Sequence, residues 1–282
     1  MSDEVFEALW RDADARWRRF TEVLDRAPEH RIRGAATDWT ARDEYAHFAH
    51  WLEFAGGHAR ARFEGTPPLP PIADEDEQND AWAAGDRALT LAQAKARCEA
   101  ARQGYIDLIR GLPAERRTER VAAVVRGGLV GHFDTHFGYM VEGMLRDESA
   151  GWERFTAILD ARPVDLLHTG DDGRPWRAAD IYAHVERWMT VNLPRAEAGL
   201  ATGTVPELGA SPDALNARWL AEDAGVTFEA ARRRAFLARD AFMGQARGIP
   251  VEQWTARLVS LYGGNAWGHY REHLEYMGYT GE

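Results

Sequence analysis

Apolar residues recur with a helical period from the start of the chain. Val5, Phe6, Leu9, Trp10, Ala13, Trp17, Phe20 and Leu24 share one stripe of a 3.6-residue helix, and Pro28 predicts its end. Thr40-Ala-Arg-Asp43 reads as a capping box and predicts a second helix running to about Gly65. The run Pro67-Pro-Leu-Pro-Pro71 then predicts an extended crossover. A third helix is expected from Thr90 to just before Pro113, and a fourth from near Gly128. Later in the chain the same features predict a third helix from Thr227 to before Pro250 and a fourth from near Gly264. No stretch alternates with period two for long enough to suggest a sheet. The expected class is all-α: two tandem four-helix bundles, each with a long crossover between helices two and three.

The tandem reading rests on an internal repeat. Trp39-Thr-Ala-Arg-Asp43-Glu-Tyr45-Ala-His47-Phe-Ala-His-Trp51 and Trp176-Arg-Ala-Ala-Asp180-Ile-Tyr182-Ala-His184-Val-Glu-Arg-Trp188 are identical at seven of thirteen positions, at an offset of 137. That offset also carries Asn79 to Asn216, Trp82 to Trp219, Gly131-His132 to Gly268-His269, His136 to His273 and Tyr139-Met140 to Tyr276-Met277. Upstream the register slips by two, so that Trp17 matches Trp152, Asp25 matches Asp160 and Pro28 matches Pro163. The slip falls around Gly170-Asp-Asp-Gly173, a surface loop on this reading. The boundary is expected near Arg146-Asp-Glu-Ser149, which gives copies at residues 1–147 and 148–282.

Composition narrows the chemistry. The 282 residues carry 34 basic and 45 acidic side chains, a formal charge of −11 that disfavours nucleic acid or an anionic membrane as partner. Cys98 is the one cysteine, so no internal disulfide or CxxC metal framework exists. Lys95 is the only lysine and follows no glycine-rich loop, and none of the four serines lies in a nucleophile elbow. The acidic start Met-Ser-Asp-Glu-Val-Phe-Glu lacks a signal peptide's basic, apolar character, and no apolar run is long enough for a membrane span, so a cytoplasmic protein is expected.

Histidine carries the chemical signal. Each fourth helix holds a His-x-x-x-His pair, His132/His136 and His269/His273, whose rings share one face. Each second helix holds one more, His47 or His184, 85 residues before the first of the pair. Ten histidines in a chain of this length give about 0.3 such pairs by chance. Duplication explains a second copy, but not why all three positions stayed histidine while Asp134/Arg271 and Thr135/Glu272 diverged. Three imidazoles with open positions suit a catalytic divalent metal, zinc or nickel first and iron as a further option. The competing reading is a set of buried histidines hydrogen-bonded between helices.

Other candidates are weaker. His50 matches Arg187 and is read as solvated or as a neighbour of the site; His30, His58 and His168 have no repeat partner. Asp43 and Asp180 are read as helix-start acids rather than imidazole partners. Trp51 and Trp188 are read as core, and ligation by Met140 or Met277 is disfavoured. Glu272, beside His273, is a weak general-base candidate, and Cys98 reads as a buried thiol on the third helix.

The pattern Trp39-x3-Asp43-x3-His47-x3-Trp51, then Gly131-His132-x3-His136 after a long crossover, resembles the DinB-like superfamily. Asn216-Ala-Arg-Trp219 and Gly268-His-Tyr-Arg-Glu-His273 make the second half similar to the ClbS/DfsB branch. The resemblance covers one copy per half and implies four-helix bundles with His47, His132 and His136, then His184, His269 and His273, as ligands of a divalent metal. It implies thiol transferase or isomerase activity with a low-molecular-weight thiol such as mycothiol or bacillithiol, or hydrolysis of a reactive metabolite. Single-bundle members often dimerise, so the tandem chain is expected as a monomeric pseudo-dimer or a homodimer.

Two functions stay open. One is a metalloenzyme in which the ion activates water or a thiol toward an electrophilic small molecule. The other is a metal-free protein that binds, sequesters or hydrolyses a small ligand in a histidine-lined cavity. Residues 67–80 and 205–213 are expected to shape the pocket mouths.

Overall fold

The computed structural model describes residues 3–26, 32–33, 38–67, 69–170 and 173–279. Pro28, His30, Pro68, Asp171 and Asp172 lie outside the described residues. Among the described residues the chain is all-α apart from two hairpins of two-residue strands, and it divides into two compact units, Met1–Met144 and Leu145–Glu282. Among the described residues no helix is long and apolar enough to cross a membrane.

In the first unit, α1 (Asp3–Arg26) precedes the hairpin β1 (Ile32–Arg33) and β2 (Asp38–Trp39), which pair antiparallel. Helix α2 (Ala41–Glu64) follows, then α3 (Glu75–Gly85), α4 (Leu91–Arg110) and α5 (Glu119–Val125). Residues Arg126–Gly131 wind as a wider π-type turn into α6 (His132–Ala161). The stripe read on α1 buries Phe6, Leu9, Trp10, Ala13, Phe20 and Leu24, whereas Val5 is exposed and Trp17 half-buried. Helix α2 packs along α4. Phe20, Phe48 and Phe133 lock α1, α2 and α6 together, with ring centroids 4.8–5.8 Å apart. Each such fully buried ring is worth roughly 1.5–3 kcal/mol of transfer free energy. Tyr45 donates to Asp25 at 2.9 Å, tying α2 back to the end of α1.

The second unit repeats that order. The hairpin β3 (His168–Thr169) and β4 (Pro175–Trp176) leads into α7 (Ala178–Thr202), then α8 (Pro212–Glu222) and α9 (Phe228–Arg247). The last segment is split into α10 (Ala256–Asn265) and α11 (Trp267–Tyr276). Helix α7 packs along α9, Phe155 stacks on Tyr270 at 5.2 Å, and Tyr182 donates to Asp160 at 2.8 Å.

Sequence patterns locate most helix ends. Thr40 donates from both its amide and its hydroxyl to Asp43, at 2.9 and 2.7 Å, and Gly65 closes α2 at φ 70, where a side chain is disfavoured. Thr90 and Thr227 each accept a first-turn amide at 3.2 Å, at the starts of α4 and α9.

Four expectations need correction. Each crossover contains a helix, α3 or α8, because Asp74 accepts the amides of Asp76 and Glu77 and Ser211 accepts that of Ala214. Two short hairpins exist, too brief for alternation to register. The fourth helical segments begin at Glu119 and Ala256, nine and eight residues before Gly128 and Gly264, capped by Thr118 and Thr255. Arg146 to Ser149, read as the boundary, lie within the continuous α6, and the units divide three residues before the expected 147/148.

The break before α11 depends on glycine. Ala266 sits at φ −128, ψ −105, outside the helix, and a Cβ on Gly268 would fall 2.7 Å from the Gly263 carbonyl oxygen. At the matching Gly131 the nearest backbone oxygen is a comfortable 3.5 Å away. Gly268→Ala is therefore expected to cost about 1–3 kcal/mol, the usual penalty of overpacking, and Gly131→Ala distinctly less. Melting temperatures of the two variants check this; equal losses would contradict it.

Candidate metal centre

The structure brings the six predicted histidines into two clusters. In the first unit α2 supplies His47, and α6 supplies His132 and His136 from consecutive turns of one face. His47 Nε2 lies 3.2 Å from His132 Nε2, and the His136 ring centroid is 4.6 Å from that of His47 and 4.8 Å from that of His132. In the second unit α7 supplies His184, and α11 supplies His269 and His273. His184 Nε2 lies 3.0 Å from His269 Nε2, with His273 centroids at 5.2 and 4.8 Å from the two. In each cluster the three candidate ligand atoms lie within 4.8 Å of one another.

That spacing fits one ion. Bonds of about 2.0–2.2 Å in a tetrahedron put donors about 3.3–3.6 Å apart, so ring rotations of about an ångström close the widest gaps. The donor chemistry fits as well, since neutral imidazoles suit zinc, nickel, copper or iron. His273 Nε2 is buried without a hydrogen-bond partner among the described residues. A buried nitrogen left so is costly unless something binds it.

Tryptophans cover the imidazoles. Trp39, from β2, lies 4.8 Å from the His47 ring and stacks toward His136 at 6.4 Å. Trp176, from β4, takes the same place at 4.9 Å from His184 and 6.0 Å from His273. The hairpins thus hold an indole over each cluster. Trp51 and Trp188 are half-buried and line the clefts, which corrects their reading as core. Their indole nitrogens donate to Asn79 at 3.0 Å and Asn216 at 2.9 Å, fastening α3 and α8 beside the sites.

Each cluster opens into a cleft. The first, of about 570 Å³, is bordered by Glu75, Asp76 and Tyr139; the second, of about 260 Å³, by Asp213, Glu272 and Tyr276. Residues 67–80 and the end of 205–213 do reach the mouths, but Val205 is buried against Gly199.

Two polar neighbours of the clusters escaped the sequence reading. Glu44 is fully buried, and its Oε2 accepts from His136 Nδ1 at 2.8 Å. His168, set aside as lacking a repeat partner, places Nε2 3.2 Å from His273 Nδ1. Glu44 stands three residues before His47, one helical turn away, and that spacing was the available signal. His168 lies in the hairpin, far from any histidine in sequence.

The remaining candidates sit outside the ligand sets. Asp43 and Asp180 accept helix-start amides at 2.9 and 2.8 Å. His50 stacks on Trp82 at 4.7 Å and bonds Asp86 at 2.8 Å. His58 packs on Phe54. Met140 and Cys98 are buried, and burial raises the Cys98 thiol pKa. Glu272 is exposed at the cleft and accepts from Tyr276 at 2.7 Å. Compared with known family models, curated proteins and solved structures, the chain matches none.

Burial makes the clusters acid-sensitive. Desolvation, reinforced by neighbouring rings, pushes His132 down to about 3 and His47 lower still. Burial pushes His269 to about 4, and His184 and His273 well below their ordinary value of about 6.5. These groups stay neutral when folded but take protons when unfolded, so the stability they allow is full above about pH 6.5 and is lost as pH falls below it. Each contributes up to about 1.4 kcal/mol per pH unit over that range. Metal-free protein is expected to show a melting temperature that drops steeply from pH 6.5 toward pH 4. Replacing His132 and His269 by glutamine should flatten the profile, and an unchanged slope would contradict the assignment.

Proposed function

We propose that the chain is a tandem pair of DinB-like four-helix bundles that binds a divalent metal at His47, His132 and His136 and at His184, His269 and His273. On this reading it acts on a reactive small molecule as a hydrolase or thiol transferase. The observation that carries this is the convergence of three imidazoles from two helices, twice over, each beside an open cleft. A divalent ion held there supplies Lewis acidity toward water or a low-molecular-weight thiol. Zinc or nickel fits the all-nitrogen donor set best, with iron next.

The chain's own groups account for the rest of the site. Trp39 and Trp176 exclude water from one side of each cluster, which strengthens electrostatic interactions inside. Trp51 and Trp188 offer flat apolar walls, while the cleft acids keep each mouth polar. The first cleft, about 570 Å³, falls in the roughly 300–1,000 Å³ range of sites for small organic ligands. The second, about 260 Å³, suits a smaller substrate or a thiol alone. A charge of −11 and the acidic mouths argue against nucleic acid as substrate.

Elemental analysis of protein purified without an affinity tag tests the reading. Up to two ions per chain are expected. The double variant His269→Ala/His273→Ala should lose the ion of the second half while keeping its helical circular dichroism, because burial of apolar side chains holds the helices. Metal at about 100 times its dissociation constant should add about 2.7 kcal/mol of stability. If replacing both pairs, His132/His136 and His269/His273, leaves metal content unchanged, the imidazoles are cavity lining and the metal-free ligand-binding function takes over.

A further inference from the structure

The two clusters differ in what backs their last histidine. His136 Nδ1 faces the carboxylate of Glu44 at 2.8 Å, whereas His273 Nδ1 faces the imidazole of His168 at 3.2 Å. Neither partner is shared. The residue matching Glu44 is Ile181, fully buried, and His168 pairs with Trp176 across β3–β4 where Ile32 pairs with Trp39 across β1–β2. The mouths are otherwise matched in charge, with Glu75 and Asp76 at one and Asp213 and Glu272 at the other.

The difference decides where protons sit. An ionised carboxylate only accepts, so Glu44 in that form fixes the His136 proton on Nδ1 and leaves Nε2 a free lone pair, the form that ligates. An imidazole either donates or accepts. If His273 donates from Nδ1, its Nε2 is free to ligate, but His168 must then carry its own proton on Nδ1. That nitrogen is buried without a partner among the described residues. If His168 donates instead, the His273 proton moves to Nε2 and blocks ligation. The second cluster therefore has a competing tautomer that the first lacks. Charge acts in the same direction. Glu44 is fully buried and its Oε1 has no hydrogen-bond partner among the described residues, so a nearby cation relieves an uncompensated negative charge. In the second cluster buried Ile181 stands where that carboxylate would be.

We propose that Glu44 and His168 make the two sites unequal: Glu44 positions His136 for ligation, so the first half takes a divalent cation more tightly and fills first. His168 leaves the second half a weaker site, filled only when metal is more abundant. This rests on the metal-binding reading above.

Two measurements on the full chain test it. Zinc(II) is titrated in competition with a chromophoric chelator into His269→Ala/His273→Ala, which keeps the first site, and into His132→Ala/His136→Ala, which keeps the second. The first site is expected to bind at least tenfold more tightly. Glu44→Gln in the first background should weaken it by about 10- to 100-fold, the usual cost of losing such a carboxylate partner. Long-range proton–nitrogen NMR of the histidine rings, on metal-free wild-type protein, should show His136 wholly as the Nδ1–H tautomer and His273 as a mixture. Glu44→Gln should relax that lock. The wild-type spectrum and the affinity order decide the matter even if Glu44→Gln fails to fold. Equal affinities, a tighter second site, or His136 protonated on Nε2 would overturn this inference alone. Absence of zinc binding to either half would overturn the metal reading and this ordering with it.

Discussion

Burial and crowding of imidazoles in a space a few ångströms wide favour the neutral form of His47 and His132 and of His184, His269 and His273, and the rest of each unit follows from that constraint. A charged ring there would face both burial and its neighbours. The helix carrying His47 or His184 must meet the helix carrying the His-x-x-x-His pair close enough for Nε2 atoms to stand 3.0–3.2 Å apart. Aromatic packing sets that approach: Phe48 and Phe133 are in contact at 4.8 Å in one unit, and in the other Phe155 of α6 bridges Tyr182 of α7 at 6.2 Å and Tyr270 of α11 at 5.2 Å. The hairpins then add an indole over the rings, which lowers the local dielectric further. An empty site of this kind loses stability as pH falls below about 6.5, because the unfolded chain takes protons that the buried rings do not.

The helix that presents the paired histidines is irregular in both units, by different means. A π-type turn, Arg126–Gly131, precedes His132, and an outright break at Ala266 precedes His269. Irregular turns of this sort recur at functional sites because they re-aim the residues that follow. In the second unit the break is held by polar contacts: buried Asn192 donates to Asn265 at 2.8 Å and to the Trp188 carbonyl oxygen at 2.8 Å. Matching positions in the first half are Ala55 and Gly128, which offer no such pair.

Repetition made the histidines legible. Four-residue spacing put each pair on one helix face, and the shared 85-residue separation pointed to a single partner helix. Helix starts at Thr40, Thr90 and Thr227 were legible because each cap is a local interaction between residues three apart. Glu44 and His168 were not, because a search for what two halves share passes over what they do not. Nor were α3 and α8: each has a local cap, at Asp74 or Ser211, but is short and lies beside a proline-containing stretch that masks it, and Trp51 and Trp188 reach across to fasten it at Asn79 or Asn216. The unbroken α6 was hidden for another reason: Arg146 to Ser149 read as a polar boundary, whereas Glu148 is fully buried in an ion pair with Arg239 at 2.7 Å.

Substitutions between the halves separate framework from site. His50 becomes Arg187, yet each bonds the matching aspartate, Asp86 or Asp223, at 2.8–2.9 Å. Lys95 becomes Arg232, and both still pair with the aspartate that anchors a buried tyrosine, Asp25 for Tyr45 and Asp160 for Tyr182. In the framework the side chain changes while the interaction stays, as expected where a buried polar group left unpaired would cost about 1–3 kcal/mol. Around the clusters the order is reversed. The imidazoles stay the same while their surroundings change: Glu44 gives way to Ile181, His168 backs the second cluster, and a cleft of about 570 Å³ becomes one of about 260 Å³. Packing alone does not demand that pattern, since an isoleucine already fills one of the two equivalent positions without strain on the helix. What it leaves fixed is the set of three ring nitrogens. What it varies is the charge and proton supply around them, the quantities that set how strongly each set holds a cation.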